Sequence, residues 1–217
     1  MDFSFLPKYY MFFLNGVRYT IVLAIFTVIF GVILGVILAL MRISNNKLLN
    51  FIGAAYVEFI RGTPVLVQVY IIYYALPSLL GINLPDMAAG ILALSINSGA
   101  YVAEIIRAGI QAVDKGQLEA ARSLGMKYGT AMRYIIVPQA IKNILPALGN
   151  EFITVIKESS IVSVIGIHEL MYNADTVRGN TFRAFEPLII AAIMYFVLTY
   201  TLSKLMGIAE RRLKTSD

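Results

Sequence analysis

Four glutamates, Glu58, Glu104, Glu151 and Glu158, stand in stretches that are otherwise apolar, and bases lie close to them in the chain: Arg61, Arg107 and Lys157. Glu58 with Arg61, and Glu104 with Arg107, are spaced i, i+3, near enough on one helix to neutralise each other. Asn97, Tyr101 and Glu104 follow at i, i+4 and i+7 and share one helical face, with Ser98 beside Asn97. Asn150, Glu151, Thr154, Lys157 and Glu158 fall within about a third of another helix's circumference, and Ser159, Ser160 and Ser163 continue that run. Such groups suit two kinds of work. They hold helices together as structural ion pairs, or they line a wet path. Neither makes or breaks a bond. The chain has no Gly-x-x-x-x-Gly-Lys-Ser/Thr phosphate loop, no Gly-x-Ser-x-Gly elbow and no His-Glu-x-x-His. With no cysteine and His168 as the single histidine, no catalytic or metal site is expected.

The elements that position these groups are apolar. Of 217 residues 59% are hydrophobic and 14% charged, against about 25% charged in a soluble domain. No charge falls between Arg18 and Arg42, Arg61 and Asp86, Asp86 and Glu104, or Glu186 and Lys204. Since about 20 apolar residues span a bilayer, the pattern predicts an all-α integral membrane protein, one domain over 1–217. It has five spans, at about 14–41, 50–80, 86–113, 140–167 and 186–208. Gly31 and Gly35 suit close helix packing, and Pro64 should kink the second span. Met1–Tyr10, with Phe3, Phe5, Tyr9 and Tyr10, reads as a short interfacial segment rather than a secretory signal. Residues 168–186, with Asp175, Arg178 and Arg183, form an outer segment that either touches an external partner or is plain loop. Span five is uniformly apolar and faces lipid and neighbouring helices.

Orientation follows from the bases. Arg42, Lys47, Lys115, Arg122, Lys127, Arg133, Lys142, Lys204, Arg211, Arg212 and Lys214 fall on one side, the last three in a basic tail, Glu210 to Asp217; Lys8, Arg178 and Arg183 fall on the other. An excess of lysine and arginine marks the cytoplasmic side, so the N-terminus is outside and the C-terminus inside. The net charge of +5 is sorted by membrane side, and no nucleic acid is implied.

Between the third and fourth spans lies a hydrophilic island, 114–135. Asp114 and Gln117 have the spacing of a capping box, and Leu118 to Leu124 are good helix formers. Ala120 and Ala121 leave little bulk, so another surface can come close, and Gly125 permits a sharp turn. A second short helix, roughly Lys127 to Tyr134, runs into Pro138. The island is either a docking element for a soluble partner or a solvated interhelical loop.

Glu119-Ala120-Ala121, then Gly125, then Ile135-Ile136-Val137-Pro138 resembles the EAA motif of permease subunits of bacterial ABC importers, with Val137 in place of the family's Leu. Glu58-x-x-Arg61-Gly62-Thr63-Pro64 with Leu66-Val67-Gln68, Gly99-Ala100-Tyr101-x-Ala103-Glu104-Ile105-x-Arg107 and Pro138-Gln139-Ala140 look like the polar amino acid uptake branch. The resemblance implies a multi-pass permease of the bacterial inner membrane that lacks ATPase activity. It pairs with a second copy or close paralogue, with two ATPase subunits that carry ATP and Mg, and with an extracytoplasmic substrate-binding protein. Glu119, Ala120, Ala121, Arg122 and Gly125 would form the coupling helix. Asn97, Ser98, Tyr101, Glu104 and Glu151 are the expected solute contacts, with amides and hydroxyls for the zwitterion and carboxylates for an amino group. Glu58, Arg61, Gln68, Lys157, Glu158 and Ser160 would lie along the path. Acids exceed bases within the spans, which tilts the expectation toward cationic amino acids. A stand-alone channel or ion-coupled secondary carrier explains the polar stripes but leaves the island without a role.

Overall fold

A run of leucine, isoleucine, valine and phenylalanine with its only proline in the first turn can continue as helix for as long as it stays dry. In the computed structural model, which describes residues 1–214, it does so over Leu6–Ile43 (α1), 38 residues or about 57 Å. That exceeds the roughly 30 Å hydrocarbon core of a bilayer. The helix begins well before residue 14, so residues 6–10 of the expected interfacial segment are its first turns. Phe5 and Phe13 are buried with Leu170, Ala174, Val177 and Ala191, while Phe3 and Tyr10 are exposed. The extreme N-terminus is tied down by charge. Asp2 pairs with Arg183, and its N–H donates to Glu186 Oε1 at 3.0 Å. The Ser4 amide and hydroxyl, and then Arg183, hold the Asp2 carboxyl below its ordinary range.

Asn46 starts α2 (Lys47–Gly62) by accepting from the Leu48 and Leu49 amides at 2.9 and 3.4 Å, which satisfies two amides that a helix start leaves open. The kink expected at Pro64 is a full break. The chain turns by 105° before resuming at Val65, as α3 (Val65–Tyr70) and, after one π turn (Ile71–Ala75), α4 (Leu76–Leu80).

The central helix is α5 (Asp86–Gln111), which lies along α1. The packing expected of Gly31 and Gly35 is present: a Cβ at Gly31 would sit 3.0 Å from Ser98 Oγ, and one at Gly35 would overlap the Val102 side chain. After α6 (Lys115–Ser123) the chain does not stop at Pro138. The short α7 (Tyr128–Ala131) continues through a π turn (Met132–Ile136) into α8 (Val137–Glu158) as one unbroken helical rod. Both π turns have the same cause. Leu76 bonds Ile71 O and Val137 bonds Met132 O, five residues back, and each stands directly before a proline, Pro77 and Pro138. A proline ring crowds the carbonyl four residues behind it and donates no bond, so the turn widens by one residue.

A 3-10 stretch, Ser159–Ile165, follows α8. Residues 168–186 are not plain loop. They contain α9 (Leu170–Thr181), whose buried face packs on α1 and α10 (Glu186–Lys214). Of the basic tail, residues 215–217 lie outside the described residues. All described elements are helices. Three of them, α1, α5 and α10, are each long and apolar enough to cross a membrane, and the bent pair around Pro64 makes a fourth candidate.

Close α1–α5 contact gives a first prediction. Gly35→Ala should destabilise the protein by about 1–3 kcal/mol through overpacking and lower its melting temperature in detergent. Gly129→Ala, where added bulk meets nothing within 4 Å, should not.

Candidate functional site

The break at Pro64 leaves carbonyls at the end of α2 short of their usual i+4 donors, and Gln68 turns back to serve them. Its Nε2 donates to Ile60 O at 2.7 Å, Thr63 Oγ1 at 2.9 Å and Thr63 O at 3.1 Å. Its Oε1 accepts from Asn97 Nδ2 at 3.0 Å. Both side chains are buried, so this bond ties the bend to the middle of α5. One residue further on, Ser98 Oγ donates to Glu151 Oε1 at 2.7 Å, tying α5 to α8. Asn97, Ser98 and Glu151 are thus brought together by helix-to-helix bonds in the bundle interior.

Tyr101 and Glu104 occupy a different environment. Glu104 is the hub of a cluster of bases. Arg107 Nη2 lies 2.7 Å away and Arg61 Nη1 3.9 Å away, and Arg42 from the end of α1 also pairs with it. The Glu104–Arg107 pair forms as its spacing suggests. Arg61 turns away from the exposed Glu58 and toward Glu104, and its guanidinium lies 5.3 Å from the centre of the half-exposed Tyr101 ring. Arg42 reaches Glu104 because α2 passes close above it at Gly53, where a Cβ would sit 3.1 Å from Arg42 Cγ. Its place at the end of a span hid this role in the sequence. With Arg42 counted, three guanidiniums face one carboxylate, and the local excess of acids behind the cationic expectation is gone.

The stripe on α8 is divided as well. Glu151 and Lys157 lie at its opposite edges. Glu151 faces α5, whereas Lys157 and Ser160 line a cleft beside α9 and α10. Glu158 is half-buried between these directions, and Ser160 Oγ bonds its own chain at Lys157 O, 2.8 Å.

At the opposite end of α5 from Pro85 is the island. Asp114 caps α6, its Oδ1 accepting from the Gly116 amide at 2.7 Å. Gln117 does not complete a capping box, since its Oε1 accepts from Gln139 at 3.4 Å instead. Gly125 has φ +84°, a conformation costly for other residues. Its N–H bonds Arg122 O and that of Met126 bonds Ala121 O, 3.0 and 3.1 Å, the paired bonds of a Schellman stop. Arg122 locks the turn from outside, donating to Met126 O at 3.1 Å. Ala121 is buried, while Glu119, Ala120, Arg122 and Leu124 are exposed, Leu124 by 85%. Beneath them Val113, Ile136 and Ala140 form a small core with Leu118 and Met132. The elbow is therefore a rigid, outward-facing surface of small and charged residues on a packed base.

One buried carboxylate was not singled out from the sequence. Glu169 accepts from the amides of Met171 and Tyr172 at 2.8 and 2.7 Å and from the Tyr195 hydroxyl at 2.6 Å. It pins α9 to α10, while Thr20 accepts from the Leu170 amide at 3.2 Å and pins α9 to α1. The usable signal in the sequence is an acid directly before a run with apolar residues at helical spacing, Leu170, Ala174 and Val177.

A helical membrane bundle with polar cross-bonds inside and a rigid exposed elbow at one end defines a transporter membrane subunit. The chain belongs to the family of binding-protein-dependent transport system inner membrane components, whose model matches residues 31–215. It is 45% identical over 217 residues, covering 100% of this chain and 99% of the relative, to the arginine transport system permease protein ArtQ of Bacillus subtilis (strain 168). It is 43% identical over 216 residues, with 100% of both chains covered, to the probable glutamine ABC transporter permease protein GlnM of the same organism. Its fold matches a crystal structure of an amino acid ABC transporter with histidines at TM-score 0.93 and 55% identity, covering 98% of this chain and 99% of that one. A methionine ABC transporter, MetNI, in an inward-facing conformation shares the fold at TM-score 0.80 and 18% identity, covering 98% and 99%. The chain is a multi-pass inner-membrane ABC permease, and ATP hydrolysis lies with partner subunits.

The α5–α8 bond can be measured. A double-mutant cycle on Ser98→Ala and Glu151→Gln should give a coupling of about 1.5–3 kcal/mol, typical of a hydrogen bond to a charged group, read as thermal stability of the purified complex.

Proposed function

We propose that this chain forms, with a second copy or close paralogue, the path by which a polar amino acid enters the cell, driven by two cytoplasmic ATPase subunits and fed by an extracytoplasmic binding protein. The carrying observation is mechanical. An exposed elbow, Glu119–Gly125, packs on the same helical rod, 128–158, that bears Glu151 in the bundle interior. A force applied at the elbow reaches Glu151 without crossing a flexible joint.

Five spans, N-terminus outside, is the topology that puts the elbow's bases in the cytoplasm. The fifth span besides those apolar enough by composition is α8; its buried Glu151 is satisfied by Ser98, as a polar group at membrane depth requires. Glu119, Ala120, Ala121, Arg122 and Gly125 seat in an ATPase, which holds the ATP and Mg; this chain holds neither. Asn97, Ser98, Tyr101, Glu104 and Glu151 contact the solute, and Glu58, Arg61 and Gln68 lie beside it; Glu158, between the two edges of the α8 stripe, lies further along the path, with Lys157 and Ser160 at its far edge. Ser98 and Glu151 become available when α8 moves from α5. Tyr101 and the arginine-ringed Glu104 sit at the exposed edge. Among these groups the guanidiniums suit the substrate carboxylate and Glu151 its ammonium, which fits a zwitterionic head common to the arginine and glutamine named for the relatives.

The test is ATP hydrolysis by the reconstituted complex, measured with arginine, glutamine and histidine, with and without candidate binding proteins. Stimulation by at least one polar amino acid is expected; uptake that persists without any ATPase overturns the proposal. Glu119→Lys reverses the charge on the docking face and should abolish co-purification of the ATPase while leaving the permease folded. A stoichiometric complex from that variant refutes the docking assignment.

A further inference from the structure

We propose that the cleft between the end of α8, α9 and α10 is a binding site for an anionic phospholipid of the leaflet opposite the elbow. The cleft measures about 470 Å³ and is lined by Met171, Leu188, Ala191 and Ala192, with Lys157 and Ser160 at one side and Tyr195 at the other. The Tyr195 hydroxyl is occupied by Glu169 and the Ser160 hydroxyl by Lys157 O, so what the cleft presents is an apolar trough beside one cation. Lys157 is exposed. Glu158, next to it in the chain, is half-buried, and no described ion pair holds the ammonium.

Depth selects the occupant. Glu151 meets Ser98 near the middle of α5. Lys157 is six residues further along α8, about 9 Å toward the α9 end. That is inside the roughly 15 Å half-thickness of the hydrocarbon core, and a lysine stem is long enough to carry its ammonium from there to the headgroups. One wall of the trough is α10, a candidate span with few fully buried residues whose Ala192 and Ile193 are exposed, so the trough opens toward acyl chains. A phosphate over Lys157 and a chain against Leu188 and Ala192 satisfy both halves of the cleft at once. A zwitterionic lipid fills the trough equally well but offers the lysine less net charge. The apolar groove on the α1 side of α10, lined by Leu14, Val17 and Ile193 among others, contains no cation and should hold lipid without regard to headgroup charge.

The assembled permease–ATPase complex tests this directly. It is delipidated in mild detergent and given equal amounts of phosphatidylglycerol and phosphatidylcholine, and bound lipid is counted by native mass spectrometry. The wild type should retain phosphatidylglycerol preferentially. Lys157→Gln should reduce that preference about fivefold, Lys157→Arg should keep it, and Ala192→Trp, which fills the trough, should lower retention of both lipids. An unchanged preference in Lys157→Gln overturns the proposal. So does disulfide crosslinking between two permease copies through Ala192→Cys, because the cleft would then be a contact between subunits. Neither readout depends on which solute is carried.

Discussion

In a bilayer interior there is no water to pair with a stray carbonyl, so every break in a helix must be answered by a side chain. The turn at Pro64 is where this constraint is most severe. A 105° bend frees backbone acceptors at the end of α2, and Gln68 meets them with one amide nitrogen while its oxygen accepts from Asn97. The bend is therefore fixed in place by α5. Replacing Gln68 with an apolar residue of similar size would take from Asn97 Nδ2 and the Thr63 carbonyl the bonds Gln68 makes to them, at a cost of about 1–3 kcal/mol for each buried group, while Ile60 O would keep its Thr63 donors. Asn97 and Gln68 thus have a structural duty that any role along a path must be compatible with.

Proline acts differently elsewhere in the chain. At Pro77 and Pro138 the helix absorbs the missing bond by widening one turn and continuing. For the segment after α6 the consequence is mechanical. A stop at Pro138 would have hung the elbow from α8 by a loop, and a loop transmits displacement poorly. The π turn keeps the rod continuous from Tyr128 to Glu158 and sets which face of α7 and the widened turn meets α6, through Met132, Ile136 and Leu118. Proline in the sequence argues for a break in both places; the difference is that Thr63-Pro64 begins a new helix at its N-cap, whereas Pro138 enters one already wound.

What could be read from the chain follows the same division between local and distant causes. The apolar runs, the bend at Pro64, the Asp114 cap and the Gly125 turn all depend on residues within one or two turns of each other, and each is present; the Gly31 and Gly35 pattern is local too, though the helix it packs on, α5, is not. The N-terminal clasp and the reach of Arg42 to Glu104 depend on partners more than 60 residues away in the chain, and no local pattern encodes them; the Glu169 cap is local, but its Tyr195 partner lies 26 residues on, in the next helix. The α8 stripe was legible as a stripe. Its division was not, because helical periodicity places Glu151 and Lys157 on one broad face without saying that α5 covers one edge while α10 flanks the other.

The Ser98–Glu151 bond has the right strength for a part that must let go. A hydrogen bond to a charged group contributes about 1.5–3 kcal/mol, whereas driving a two-state element from 1:99 to 99:1 takes about 5.5 kcal/mol of differential binding. A partner docked at the elbow that favours one state by that margin outweighs the bond, so the bond biases the resting arrangement without locking it. The Glu104 cluster is less easily opened. One carboxylate there serves Arg42, Arg61 and Arg107 from α1, α2 and α5, and parting those helices would leave guanidiniums unpaired at membrane depth. The helices that Glu104 joins should therefore move as one body, whereas α8 has no described ion pair to that cluster and meets α1 and α5 through apolar packing and the Ser98–Glu151 bond, which makes it the element placed to move against them.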